Sequence, residues 1–151
     1  MIVIKPLVLI VFGVSFVCAA LAQSRSDIPF QVIERGTNSG EKEQGVKVIR
    51  TERALEEFFK DRGEDQARKL SKQVDWQAEQ IIVVFGGQQN SGGFSVDVKK
   101  VVGIDIQRYV VEAVLNKPNR DRGVTKALTT PYIIIKTPRQ VGTVKVKFAT
   151  D

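Results

Sequence analysis

A loop of glycines and amides carries the side chains best suited to contact another molecule. It runs from Gly86 to Gly93 and places Gln88, Gln89, Asn90 and Ser91 between two glycine pairs. Carboxamides and hydroxyls donate and accept hydrogen bonds without carrying charge, and glycine gives the backbone freedom to present them. This composition is typical of a contact surface.

The same residues give little support to catalysis. The only cysteine of the chain is Cys18 and there is no histidine, so a chain that loses its first 22 residues has neither. That excludes a thiol nucleophile, a histidine base, a disulfide and a thiolate or imidazole zinc site. Ser91 lies near Lys99 but has no nucleophile-elbow context, and a strand follows the glycines where a dinucleotide motif requires a helix. We expect no enzymatic activity, no cofactor and no metal ion.

The first 22 residues have the pattern of a secretory signal peptide. Lys5 gives a weakly positive start, Leu7 to Leu21 is largely apolar, and Ala20-Leu21-Ala22 matches the small-residue pattern before a cleavage site. A retained membrane anchor is the alternative, because the apolar stretch is nearly long enough to span a bilayer. Cleavage after Ala22 predicts a periplasmic or secreted protein with no stable membrane anchor.

The charge pattern bears on the kind of partner. The chain has 23 lysines and arginines against 17 acidic residues, which gives a formal net charge of +6. The basic residues are scattered among acids, without a dense basic block interleaved with aromatics, so nucleic acid is not expected. An anionic lipid surface or an acidic protein stays open as a partner, the default interpretation of the scattered charge is a solvated surface, and the sequence leaves the oligomeric state open.

Strand patterns lie on both sides of the glycine-rich loop. Residues 81–85 are an unbroken apolar run, which predicts a strand covered on both faces, and residues 94–98 alternate apolar with polar. We interpret the two as a hairpin. Further strand patterns cover 101–105, 108–116, 132–136 and 142–150.

Helix signals precede these strands. Thr51 is a candidate N-cap, Gly63 a candidate terminator, and Leu55, Phe58 and Phe59 fall on one side of the helix between them. A second, more polar helix is predicted over 65–72. The sole tryptophan, Trp76, is expected to pack at the rim of the core.

We divide the chain into a signal peptide (1–22), a flexible N-terminal segment (23–45) and one folded domain (46–151). The segment contains RGTNSGEKEQG, which is typical of a linker, and only a weak strand pattern at 30–34. The predicted fold is α+β: an antiparallel, sandwich-like meander with one or two N-terminal helices packed on it.

In a meander, successive connections alternate between the two ends of the sheet. The two longest polar connections, 86–93 and 117–130, would then share one end, and we predict a contact site there. Its glycines and its Thr-Pro step have a purely structural interpretation as well, since turns need positive φ and the residue before proline is extended. The candidate partner-binding residues are Gln88, Gln89, Asn90, Ser91, Gly92, Gly93, Phe94, Arg120, Arg122, Thr129, Thr130, Pro131 and Tyr132.

Two motifs within these connections support a more specific interpretation. Ser91-Gly92-Gly93-Phe94 and Thr129-Thr130-Pro131-Tyr132 occur in order, within VDWQAEQIIVVFGGQQNSGGFSVDV and VTKALTTPYIIIKTPR. Together they resemble the C-terminal domain of the PrcB family, with serine for the usual threonine and phenylalanine for tyrosine in the first motif. The PrcB family is a subunit of extracytoplasmic bacterial protease complexes.

The resemblance implies a non-catalytic, β-rich protein-binding domain that is an accessory or stabilising partner of a protease. Two alternatives remain open at this stage. One is a protease inhibitor that inserts the same loops into an active-site cleft. The other is a periplasmic module that binds a small molecule or a glycan.

Overall fold

The computed structural model describes residues 25–119 and 126–149. Within them the elements are eight strands and two helices. In chain order they are β1 (Ser26–Asp27), β2 (Gln31–Gly36), β3 (Gln44–Ile49), α1 (Glu52–Phe59), α2 (Glu64–Ser71), β4 (Glu79–Gly86), β5 (Ser95–Asp105), β6 (Arg108–Asn116), β7 (Tyr132–Pro138) and β8 (Thr143–Ala149).

The strands form two open, four-stranded sheets. One sheet has the order β1-β5-β6-β8 and the other has the order β2-β7-β4-β3. All pairs are antiparallel except β6 with β8, which run parallel. The predicted α+β, sandwich-like class therefore holds, but the uninterrupted antiparallel meander is wrong.

The predicted hairpin around the glycine-rich loop is also wrong. β4 pairs with β3 and β7, whereas β5 pairs with β1 and β6, so the two strands lie in different sheets. Residues 87–94 carry the chain from one sheet to the other, the connection between β6 and β7 carries it back, and the turn after β7 crosses again to reach β8. Apolar and alternating patterns predict where strands lie but not which strands pair, and for this reason they wrongly suggested a hairpin.

Alternation along β4 explains how one strand serves two cores. Ile82 and Val84 face the other sheet, while Ile81, Val83 and Phe85 face the helices. The prediction that this strand is covered on both faces is confirmed, because every residue from 80 to 86 is buried. The inter-sheet core is completed by Ile133 and Ile135 from β7 and by Val96, Val101, Tyr109, Val111 and Ala113.

The helices pack on the free face of the β2-β7-β4-β3 sheet. Thr51 is the N-cap as predicted, and its hydroxyl accepts a hydrogen bond from the Ala54 amide (3.2 Å). Leu55, Phe58 and Phe59 are buried as expected, and so are Ala67 and Leu70 of α2. Trp76 is half-buried against this core, and its indole N–H donates to the Ser71 hydroxyl (3.1 Å).

Part of the segment interpreted as flexible belongs to the sheets. β2 pairs with β7 along Gln31–Gly36, and β1 pairs with β5. The polar residues 37–43 form an ordered loop held by neighbouring strands, which sequence alone does not distinguish from a linker. The proposed signal peptide lies outside the described residues.

Candidate functional site

Three connections meet at one end of the sandwich, which we name the loop pole: residues 37–43, 87–94 and 126–131. The strand order explains the meeting. β4 and β7 pair up to Phe85 opposite Tyr132, β2 ends with Gly36 opposite Tyr132, and β3 begins with Gln44 opposite Gly86. Four neighbouring strand ends therefore lie at the same edge.

Backbone hydrogen bonds join the two connections that carry the family-like motifs. The Gln89 amide donates to Thr129 O (2.7 Å) and the Thr129 amide donates to Gln89 O (3.0 Å). The Thr129 hydroxyl donates to Ser91 O (2.9 Å). The predicted convergence of these connections is confirmed, although the pairing of β4 with β7 produces it rather than a meander.

The third connection was missed by the sequence analysis. The Thr130 amide donates to Thr37 O (2.8 Å), the Ser39 amide donates to Thr130 O (2.9 Å), and the Gly40 amide donates to the Thr130 hydroxyl (2.9 Å). The Gln88 amide donates to Lys42 O (2.9 Å). Residues 37–43 are therefore an integral wall of the loop pole.

An arginine fastens this third connection to the helices. Arg62 follows α1, and its guanidinium donates from Nε to Ser39 O (2.8 Å) and from Nη1 to Phe58 O (2.6 Å). The guanidinium carbon also lies 4.6 Å from the centre of the Phe58 ring, a cation–π distance. Arg62 positions residues 37–43, and no motif in the sequence signals that role.

The predicted site residues divide by exposure. Gln88, Asn90 and Gly93 are exposed, and Gln89, Ser91, Gly92, Phe94, Thr129 and Thr130 are half-buried. Pro131 and Tyr132 are buried, so neither side chain is open to a partner in this arrangement. Arg120 and Arg122 lie outside the described residues.

Several of these residues have structural roles. The Gln89 side-chain amide donates to Gly86 O (3.1 Å), and Gly93 has a φ of 83°, which glycine adopts without strain. Tyr132 lies so close to Gly36 that a Cβ there would be 2.2 Å from its ring. Burial, and then the nearby negative charge of Glu34, raise the pKa of Tyr132. The ring therefore seals the core beneath the loops as a neutral phenol.

Leu128 is a further exposed residue of the loop pole that the sequence analysis did not select. Its side chain is 65% exposed, immediately before Thr129. The sequence signal that could have identified Leu128 is a large apolar residue within an otherwise polar connection. The surface open to a partner thus combines the amides of Gln88 and Asn90 and the aliphatic side chain of Leu128 with exposed polar and charged neighbours, among them Asn38, Glu41, Lys42, Glu43 and Lys126.

Other chemistry finds little support in the part of the chain that the structure describes. No group of three acidic, cysteine or histidine side chains there is arranged to hold a metal ion. Over the same residues, neither helix has the length and apolar character needed to cross a bilayer. The fold and the loop pole thus define a mixed α+β sandwich with a mainly polar, hydrogen-bonding surface at one end.

Comparison with known families identifies the family that part of this chain resembles. Residues 80–138 match the family described as PrcB C-terminal. The match confirms the resemblance drawn from the two motifs, and it spans β4 to β7 with the connections between them. No curated protein and no solved structure matched the chain.

Proposed function

We propose that this chain is a non-catalytic, exported protein that binds an extracytoplasmic protease as an accessory or stabilising partner. The observation that carries the proposal is the family match over residues 80–138, because two of the three connections of the loop pole lie within it. Export rests on the leader pattern of residues 1–22.

The loop pole is the proposed contact surface. Backbone groups of Gln88, Gln89, Ser91, Thr129 and Thr130 are engaged within the loop pole, so a partner would be recognised mainly by exposed side chains such as those of Gln88, Asn90 and Leu128. A few apolar contacts surrounded by polar groups are the usual composition of a protein interface. Preorganised loops also lose little conformational entropy on binding.

The same hydrogen bonds weigh against the inhibitor alternative. A loop that inserts into a protease cleft must project and offer its backbone to the cleft. Residues 87–94 instead lie against 126–131 and 37–43, and Gln88, Gln89 and Ser91 already use backbone groups in those contacts. Docking of the whole loop pole onto a partner's surface requires no such release.

A direct test measures protease lifetime. The chain from Gln23 onwards is incubated with each purified extracytoplasmic protease of its host, and both the half-life and the turnover of the protease are followed. A longer half-life with unchanged turnover supports the accessory role. Stoichiometric loss of turnover would favour inhibition, and no effect on any of these proteases would contradict the proposal.

Matched amide substitutions locate the surface. Gln88→Ala with Asn90→Ala is expected to weaken protease binding about tenfold, in line with the loss of two interfacial side chains. Gln77→Ala with Gln107→Ala removes two exposed amides elsewhere and should leave binding unchanged. All variants should keep the parental melting temperature. Equal binding by both double variants would move the contact surface away from the loop pole.

A further inference from the structure

Two turns lie side by side at the end of the sandwich opposite the loop pole, and each carries an exposed apolar side chain. We name residues 105–108 and 139–142 the turn pole. Ile106 is 90% exposed and Val141 is 78% exposed. The Thr143 amide donates to Gln107 O (2.8 Å), which joins the two turns directly.

Both turns are held in fixed positions. The Asp105 carboxylate accepts hydrogen bonds from the Gln107 amide (2.9 Å) and from Arg108 Nε (2.6 Å). Arg50 donates from Nη2 to Gln140 O (3.2 Å) and Gly142 O (3.3 Å). The apolar tips are therefore presented to solvent by ordered turns, although neither side chain contributes to the core clusters.

The surroundings of these tips are basic. Arg108 and Lys145 line a shallow depression together with Ile104, and Arg139 lies in the same turn as Val141. Arg108 is paired with Asp105. Lys145 has no acidic partner within 4.0 Å among the described residues, whereas Arg139 Nη2 donates to the backbone carbonyls of Arg50 (2.8 Å) and Trp76 (2.6 Å). Basic side chains thus lie beside the two apolar tips.

The N-terminal end of the described chain lies at this pole as well. Ser26 pairs with Gly103, so Arg25 is placed next to the end of β5. The depression on the outer sheet face that Arg25 lines also contains Ile104.

We propose that the turn pole rests on an anionic membrane surface. Ile106 and Val141 enter the boundary between headgroups and acyl chains, and Arg25, Arg108 and Lys145 face the lipid phosphates. Apolar tips with a basic rim are the combination that gives reversible interfacial binding. A protein partner would have to offer clefts for two separate projections, whereas a bilayer accepts them anywhere on its surface.

The orientation has a consequence for the rest of the molecule. β5, β6 and β8 run between the two poles, so a domain seated on its turn pole directs its loop pole away from the membrane. A partner and the bilayer can then be bound together. The membrane contact does not depend on the proposed protease partner and can be tested without one.

The test uses the chain from Gln23 onwards, whose two core clusters lie within residues 28–148. It is sedimented with vesicles of phosphatidylglycerol and phosphatidylethanolamine, and with vesicles of phosphatidylcholine. We expect binding to the anionic vesicles that weakens as salt is raised. Ile106→Ser with Val141→Ser should reduce binding about tenfold or more, because two apolar contacts are lost. Lys145→Gln should reduce it about fivefold.

Leu128→Ser is the matched control, since it removes an exposed aliphatic side chain at the opposite pole. It should leave vesicle binding unchanged. Because the only cysteine is Cys18, a single cysteine can be introduced at 106, 141 or 128 and labelled with a polarity-sensitive dye. Dyes at 106 and 141 should report an apolar environment on anionic vesicles, and the dye at 128 should not.

Three results would overturn the proposal. One is the absence of binding to anionic vesicles at low salt. Another is a dye response at 128 equal to that at 106 and 141. The third is self-association that the Ile106→Ser and Val141→Ser pair abolishes in the absence of vesicle binding, which would assign the apolar tips to a second copy of this chain.

Discussion

The two ends of the sandwich hold their connections in place through different kinds of hydrogen bond. At the loop pole, three connections satisfy one another through backbone hydrogen bonds, such as the reciprocal pair between Gln89 and Thr129. At the turn pole, two short turns are fastened largely by side chains, with Arg50 and Asp105 bonded to backbone groups. The first leaves mostly polar side chains at the surface, with Leu128 among them, and the second leaves the apolar tips Ile106 and Val141 exposed.

This difference indicates which kind of partner each end is suited to bind. Long connections that use their own backbone groups expose amide side chains, which form directional hydrogen bonds with a protein surface. Short turns have few side chains, and those at their tips project furthest into solvent. Ile106 and Val141 are at such tips, and no core contact explains them.

The largest expected effect concerns the glycine where the two turns touch. Gly142 has a φ of 102°, and a Cβ there would lie 2.0 Å from Gln107 O, a backbone atom. Gly142→Ala should therefore lower the free energy of unfolding by about 3 kcal/mol, from backbone strain and overpacking together. Urea denaturation measures the loss.

The equivalent change at the loop pole should cost less. Gly93 has a φ of 83°, but its added Cβ would meet the Pro118 side chain, which lies in a connection and can shift. We expect Gly93→Ala to lose about 1–2 kcal/mol. Gly45→Ala is the control, because no atom lies within 4 Å of its Cβ position. Equal losses at 142 and 93 would mean that the turn pole is no more rigid than the loop pole.

The second prediction removes the arginine that fastens the turn pole. Arg50 also donates from Nε to Gln80 Oε1 (3.1 Å), and Gln80 is fully buried between the sheets. Arg50→Met leaves that oxygen without this donor and should lower the free energy of unfolding by about 2 kcal/mol. Arg53→Met, on the exposed side of α1, should change it by less than about 0.5 kcal/mol. A loss no larger than that of Arg53→Met would refute the clamping role.

The third prediction loosens the loop pole. Thr129→Val deletes the hydroxyl that donates to Ser91 O and should cost about 1 kcal/mol. Amide hydrogen exchange at Gln89 should become faster, while exchange at Thr143 in the turn pole stays the same. Thr143→Val is the counterpart, because its hydroxyl makes only a long contact to Gln107 O (3.5 Å). A faster exchange throughout the protein would show that the two poles are not independent.

The smallest expected effect is a pH dependence at the turn pole. The hydrogen bond from the Gln107 amide, followed by that from the Arg108 side chain, lowers the pKa of the Asp105 carboxyl. A carboxyl with a lowered folded pKa stabilises the protein above its unfolded pKa of about 4, and this contribution is lost as the pH falls through the folded value.

Asp105→Asn should therefore melt slightly below the parent protein at pH 7, and the difference should close in strong acid. Melting temperatures at neutral pH and at about pH 2 test this expectation, since both carboxyl states are then sampled. The effect is small because the group is exposed and screened by solvent. If the difference in melting temperature persists unchanged in acid, then Asp105→Asn acts through the geometry of the turn rather than through the charge of the carboxylate.

Local features of this protein follow from short stretches of sequence. Thr51 begins α1 because its hydroxyl can accept a backbone amide bond, and the apolar run at 81–85 forms a doubly covered strand because each face has a core to fill. Val144, Val146 and Phe148 alternate with exposed lysines on an edge strand, as their pattern predicts. The two family-like motifs were also visible without a structure.

Only the tertiary structure decided which strands pair. The pattern of β4 suits a hairpin with β5 as well as its actual place between β3 and β7, since a strand's alternation fixes its faces but leaves its neighbours open. The pairings of β2 with β7 and of β3 with β4 brought residues 37–43 into the loop pole, and the parallel pairing of β6 with β8 set Ile106 beside the turn of Val141. Several strand pairings are equally compatible with the local residue preferences. Hydrogen bonds between segments distant in sequence stabilise one of these pairings, and that pairing forms both surfaces proposed for this protein.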